Sequence, residues 1–260
     1  MVARLKASLP LQLANWIQKD HLAVNRYEWQ LDDGLQQNWS QWQQNYAKQA
    51  DLMRVTSVCV PFNGLTIPKG VSQDALMQFL LQYAQLTTYG KARNTYEAVD
   101  VSHFKNGHTE CVRPVSEESL AFVGTLLQEK PSREALDAAL AEHKARIKAC
   151  KLSQGPNRHL LGLKLMVAKE GGELHEIYKD EDYQTFTTDF LSTSTVGDNS
   201  MVVNFAFVST SVGGLGINYT ITPEGWLYTV SHTQEQQEKV NTFVDALKVG
   251  GKNLLEFLNA

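Results

Sequence analysis

Apolar and polar positions fall into helical spacing over the first two thirds of the chain and into strand-like runs after it. From Asp33 to about Ser57 a glutamine-rich stretch sets Leu35, Trp39, Trp42 and Tyr46 three and four residues apart. That spacing predicts a helix whose aromatic face packs into a core. After a break at Pro61-Phe62-Asn63-Gly64, a second helix shows Leu76, Phe79, Leu80 and Tyr83 on one face, with Ser72 as N-cap and Gly90 as its stop. Thr95 to Arg113 reads as extended chain with a turn at Asn106-Gly107. Three helices follow, over Glu117–Leu127, Ser132–Cys150 behind Pro131, and Arg158–Lys169, the last ending at Gly171-Gly172.

Beyond this point Leu191–Thr195, Met201–Val208, Gly216–Thr222 and Gly225–Ser231 are short and rich in Val, Thr, Phe and Tyr. Gly213-Gly214 and Pro223-Glu224-Gly225 separate the last three as turns, which predicts an antiparallel meander. A capping box, Thr233 with Gln236, opens a final helix through Phe243, Leu247 and Leu254, with a break expected at Gly250-Gly251. Helices, then strands, then a covering helix give an α+β domain over residues 33–260. Residues 1–32 read as an irregular N-terminal extension with Pro10, Trp16 and Trp29 as anchors.

Composition narrows the function. The chain has 260 residues, 43% hydrophobic and 20% charged, as in ordinary globular domains. With 24 basic and 28 acidic residues the net charge is -4, and no basic run interleaves with aromatics, so nucleic acid is not an expected partner. No apolar run reaches the roughly 18 residues of a membrane span, so the chain is not expected to be transmembrane. Cys59, Cys111 and Cys150 are far apart and odd in number, which argues for free thiols in a reducing compartment and against a zinc site or disulfide framework.

Taken singly, the polar candidates are weak. An arginine opening a helix, Arg158, with the hydroxyls of Tyr96 and Thr109, has the makings of a carboxylate clamp, although surface arginines at helix starts are common. Ser192 and Ser194 share one face of a strand, where two hydroxyls can serve an oxyanion or simply form a polar edge. Lys69, with Asp74 opening the next helix, could meet an adenine nucleotide phosphate, yet no glycine-rich phosphate loop accompanies it.

Order and spacing carry more. Pro68-Lys69, Ser72-Gln73-Asp74-Ala75, Tyr89-Gly90-Lys91-Ala92, Thr95-Tyr96-Glu97-Ala98, Gly107-His108-Thr109-Glu110, Asn157 to Leu165, Leu191 to Ser194 and Gly214 to Tyr219 together resemble the carnitine/choline acyltransferase family, over about residues 25–258. The resemblance covers that family's C-terminal half. It implies a chloramphenicol-acetyltransferase-like two-layer α/β sandwich, a mixed or antiparallel sheet covered by helices. It further implies that Tyr96, Thr109 and Arg158 hold the carnitine carboxylate, that Phe207 faces the trimethylammonium, and that Ser192 and Ser194 contact carnitine and the reacting centre. The arginine clamp marks the carnitine type rather than the choline type. Lys69, Asp74 and Glu97 match positions associated with coenzyme A, here a co-substrate; no resident cofactor or metal is expected. A second coenzyme A lysine of the family is Leu65 here, the serine after Tyr-Glu is Ala98, and the arginine before Thr109 is His108.

The family's base is a histidine in a His-x-x-x-Asp/Glu setting. None of His21, His103, His108, His143, His159, His175 and His232 has Asp or Glu four residues on, so no residue of this chain is expected to be catalytic, and the base would align upstream of Met1. The reading that follows is a non-catalytic, carnitine-acyltransferase-derived module acting as an accessory subunit of a larger assembly. A protein partner would cover the face the missing half occupies in relatives, in mitochondria as for most of the family, or otherwise in the cytoplasm. The alternative is the C-terminal half of a split carnitine O-acyltransferase, active only with a partner that supplies the histidine.

Overall fold

The computed structural model describes residues 28–195 and 202–260. By its contacts the chain divides into residues 1–49 and residues 50–260. Of the extension expected over 1–32, only residues 28–32 fall among those described, and they form no helix or strand. Pro10, Trp16 and His21 lie outside the described residues.

Helix α1 (Asp33–Leu52) forms as its spacing predicts, but it buries no residue: Leu35, Trp39, Trp42 and Tyr46 are all exposed rather than packed in a core. It also stops earlier than expected. Met53–Pro61 is strand β1, because Val55, Thr56, Val58 and Val60 are β-branched and Val58 and Val60 alternate into the core.

Helix α2 (Gln73–Tyr89) starts at Ser72, whose hydroxyl accepts the Ala75 amide, and ends at Gly90 in the left-handed conformation. Strands β2 (Thr95–Asp100) and β3 (Thr109–Val112) make the expected hairpin. Helices α3 (Glu117–Leu127), α4 (Arg133–Lys151) and α5 (Pro156–Glu170) follow, then a 3-10 turn (Glu176–Lys179) and a short helix α6 (Glu181–Thr187) that the sequence pattern did not reveal. Strands β4 (Leu191–Ser194), β5 (Leu215–Ile221) and β6 (Gly225–Thr233) precede the closing helix α7 (Gln237–Asn259). Among the described residues no helix is long and apolar enough to cross a membrane.

The six strands form one mixed sheet in the order β1-β6-β5-β4-β2-β3. The β5–β6 hairpin and the β1–β6 pair are antiparallel, whereas β4 runs parallel to both β2 and β5. The expected meander is therefore corrected at two places. Residues 202–208 are not a strand, and Met201 lies outside the described residues. The connection from β4 to β5 is long enough to return the chain to the same end of the sheet, which a parallel pair requires.

Helices α2, α3, α4 and α7 cover one face of the sheet. Its core includes Trp226, Tyr219, Tyr228, Phe79, Phe122 and Phe243, all fully buried. The break expected at Gly250-Gly251 does not occur. A Cβ on Gly250 would lie 2.5 Å from the Tyr83 ring and one on Gly251 2.3 Å from a Val60 methyl, so the two glycines let α7 close onto α2 and β1. Gly250→Ala should therefore destabilise by about 1–3 kcal/mol through overpacking. Urea unfolding tests this, and an unchanged midpoint would show that α7 packs less tightly than described.

Candidate functional site

Residues paired across the ladders share a face, so the register sorts the sheet into two chemistries. Glu97, Thr193, Ile217 and Val230 point toward the helices. Tyr96, Ser192, Gly216 and Ser231 point the other way, as do Ser194, Asn218, Thr229 and Ser57 one row along. Residues 204–207 run against this outer face: Asn204 accepts from the Thr229 hydroxyl at 2.7 Å, and a Cβ on Gly216 would come 2.2 Å from the Phe207 carbonyl. Phe205 and Phe207 stack with centroids 5.9 Å apart. Phe207 thus lies beside the row that carries Ser192 and Tyr96.

At the β2–β3 end of this face, three expected residues converge. One Nη of Arg158, in the first turn of α5, lies 3.3 Å from the Tyr96 hydroxyl and 3.4 Å from the Thr109 hydroxyl, and its Nε donates to the Thr109 carbonyl at 3.1 Å. Sixty-two residues separate Arg158 from Tyr96 in sequence. The strand register makes Ser192 the neighbour of Tyr96, while Ser194 pairs with Asn218, whose amide donates to the Ser194 carbonyl at 3.2 Å. A cleft of about 220 Å³ opens here, lined by Tyr96, Arg158, Leu161, Lys164, Tyr183 and Asp189. Cys111 also lines it, but burial pushes its thiol up to about 12, which disfavours the thiolate at neutral pH.

Beneath Arg158 a second constellation ties the elements together. Arg113 pairs with Asp189, donates to the Asn157 side chain at 3.2 Å and sits over the Phe186 ring. The Asn157 amide in turn donates to the Cys111 carbonyl at 3.4 Å. The start of α5, the end of β3 and the entry to β4 are fixed to one another through these side chains. Asp189 carries no signal of its own in the sequence, being a single Asp between helix and strand.

Of the three residues matched to coenzyme A positions, Asp74 and Glu97 are brought together and Lys69 is not. Lys69 is exposed in the Pro68–Val71 turn, and the departing position Leu65 packs against the core. Asp74 and Glu97 lie on the helix side of the sheet, opposite the Arg158 clamp. Glu97 is buried and Asp74 half-buried, and Tyr219 links them: its hydroxyl is 2.8 Å from Asp74 Oδ1 and 2.9 Å from Glu97 Oε1. His143 Nε2 reaches the other Asp74 oxygen at 3.1 Å, and Gln78 bridges Tyr219 to Thr193.

Burial, followed by the neighbouring Asp74 charge, holds the Glu97 carboxyl well above its ordinary range. Burial alone would raise Asp74 too, but bonds from His143 and Tyr219 outweigh it and hold that carboxyl below its ordinary value. The proton count agrees with this. A phenol has one hydrogen to donate, so it serves ionised Asp74 and accepts from neutral Glu97. Ligand atoms of Asp74, Glu97 and His143 fall within 4.8 Å of one another, a spacing a metal could use, but the phenol already engages one oxygen of each carboxyl. Gln78, a buried glutamine within the apolar run of α2, is the residue whose position in the sequence could have pointed to this network.

Of the other described histidines, His103 meets the Lys151 carbonyl, His175 caps the 3-10 turn and His232 bonds Thr56 and the Thr233 carbonyl. His108 and His159 line the outer side of Thr109 and Arg158.

Among solved structures, the epimerization domain from the third module of tyrocidine synthetase B has a TM-score of 0.47 at 10% identity, covering 94% of this chain and 63% of that one. In sequence, residues 5–249 match the family described as choline/carnitine O-acyltransferase. The mitochondrial carnitine O-palmitoyltransferase 2 of Xenopus tropicalis is 29% identical over 233 residues, 86% of this chain and 35% of that protein. A putative mitochondrial carnitine O-acetyltransferase of Saccharomyces cerevisiae is 30% identical over 192 residues, 71% of this chain and 27% of that protein. The chain spans about a third or less of the length of these relatives.

Proposed function

The chain belongs to the choline/carnitine O-acyltransferase family, and from that premise we propose that it forms the carnitine-holding side of an acyl-transfer site. The observation that carries this reading is the convergence of Tyr96, Thr109 and Arg158. A guanidinium flanked by two hydroxyls suits a carboxylate, whose lone pairs it can fill with charge-assisted bonds. Phe207 offers a face to a quaternary ammonium, and Ser192 and Ser194 offer hydroxyls between the two ends. A purely accessory role would leave this arrangement without use.

In the transfer, the carnitine hydroxyl attacks the thioester carbonyl of acyl-coenzyme A. A C–O ester bond forms, the C–S bond breaks, and the hydroxyl proton passes by way of a base to the departing thiolate. The hydroxyls of Ser192 or Ser194 stabilise the oxyanion. The base is a histidine supplied by a protein partner seated over the outer face. Of the coenzyme A candidates, Lys69, exposed and cationic, is the one whose chemistry suits a phosphate. The names of the relatives support a mitochondrial location.

This chain by itself should bind carnitine in preference to choline and release no thiol from acetyl- or palmitoyl-coenzyme A. Equal affinity for the two ligands by calorimetry would sink the carboxylate clamp. Thiol release lost on replacing one of this chain's own histidines would sink the external base.

A further inference from the structure

Helices α2, α3 and α4 each begin with a serine whose hydroxyl accepts a first-turn amide: Ser72, Ser116 and Ser132. Helix α5, which carries Arg158, does not. Its N-cap is Gly155, which has no side chain to accept a bond, and Pro156 follows. First-turn amides need an acceptor when they are not in water. Here the acceptor comes from another element. Glu110 on β3 is buried, and its Oε1 accepts the Arg158 amide at 3.2 Å and the Cys111 amide at 2.7 Å.

The glycine is the counterpart of that carboxylate. Gly155 has φ -71° and ψ 133°, which any residue adopts, so its backbone does not demand glycine. Its surroundings do: a Cβ there would lie 2.6 Å from Glu110 Cγ, 2.8 Å from Cδ and 3.0 Å from Oε2. The Glu110 side chain occupies the space an ordinary capping residue would fill.

We propose that Glu110 is a positioning residue that caps α5 from β3 and thereby aims Arg158 at the clamp. Its carboxylate holds the backbone of Arg158 while the adjacent Thr109 holds the guanidinium, so root and tip of the arginine are fixed by consecutive residues of one strand. A negative charge suits a helix N-terminus. It also stands near the site proposed for a substrate carboxylate, where charge alone would oppose binding. Positioning and charge therefore predict opposite signs for its removal.

The consequence for ligands rests on the carnitine reading; the capping itself does not. Glu110→Ala should speed hydrogen exchange at the Arg158 amide and weaken carnitine binding by about fivefold to tenfold, the scale of a lost cap, with choline unaffected. Glu110→Gln, which keeps an acceptor, should hold both near wild type. Gly155→Ser alone should be destabilising. In the Glu110→Ala background it should instead re-protect the Arg158 amide and restore the carnitine-to-choline ratio, because the vacated space admits a serine cap.

Unchanged exchange in Glu110→Ala, or no re-protection in the double variant, overturns the proposal. So does carnitine bound more tightly by Glu110→Ala, the sign expected of charge alone. If exchange follows the expected pattern while the wild-type chain binds no carnitine, the cap stands and the carnitine reading is what fails.

Discussion

Arg158→Ala should weaken carnitine binding by about one to two orders of magnitude, on the scale of roughly 1.5–3 kcal/mol for hydrogen bonds to a charged group. The same variant should leave choline binding unchanged, since choline has no carboxylate. Geometry sets the size of the effect: one Nη serves two hydroxyls and Nε is anchored on the Thr109 carbonyl, whereas Lys164, which also lines the cleft, has no such hydroxyl pair around it. Arg158→Lys should recover only part of the loss, because an ammonium cannot reproduce the planar fork. Calorimetry with both ligands measures this. Carnitine affinity indifferent to Arg158 would refute the clamp even if the fold is as described.

On the opposite side of the sheet, Tyr219→Phe should cost about 2–4 kcal/mol of stability, because it strips a charged bond from Asp74 and leaves a buried carboxyl without its acceptor. The pH dependence separates the two carboxyls. Glu97 has a raised folded-state pKa, so its contribution is complete below its unfolded value of about 4.3 and falls as pH rises toward the folded value. Asp74 has a lowered one, so its contribution is complete above its unfolded value and is lost as pH falls through the folded value. Glu97→Gln, which mimics the neutral acid, should therefore gain stability relative to wild type as pH rises from about 5 to 8. Asp74→Asn should lose stability at neutral pH and converge on wild type in acid. Urea unfolding from about pH 2 to pH 8 checks both signs, and a Glu97→Gln curve parallel to wild type between about pH 5 and 8 would mean that Glu97 is ionised in the fold.

Where the signal is local, the sequence by itself determined the structure. Ser72 and Gly90 bracket α2 because capping depends on side chains within a few residues, and alternation placed Ser192 and Ser194 on one face because strand period is a backbone property. The family motifs named Tyr96, Thr109, Arg158, Ser192, Ser194 and Phe207, and their order implied a shared site. Local pattern failed where distant partners decide. Met53–Pro61 carries the β-branched Val55, Thr56, Val58 and Val60, but pairing with β6 is what fixes it as a strand rather than the end of α1. The glycines of α7 extend the helix rather than break it because Tyr83 and Val60 press against them.

Only the tertiary structure decided which carboxylates face solvent and which face each other. Asp74 and Glu97 sit beside motif residues in sequence, yet strand pleating turns Glu97 to the opposite face from Tyr96, into a core where Tyr219 meets it from β5. Likewise Glu110 and Gly155 are forty-five positions apart, and nothing in either segment signals that one fills the space the other leaves. Propensity and spacing act over one or two turns of chain, whereas packing and electrostatics act over ångströms between residues that topology alone brings together.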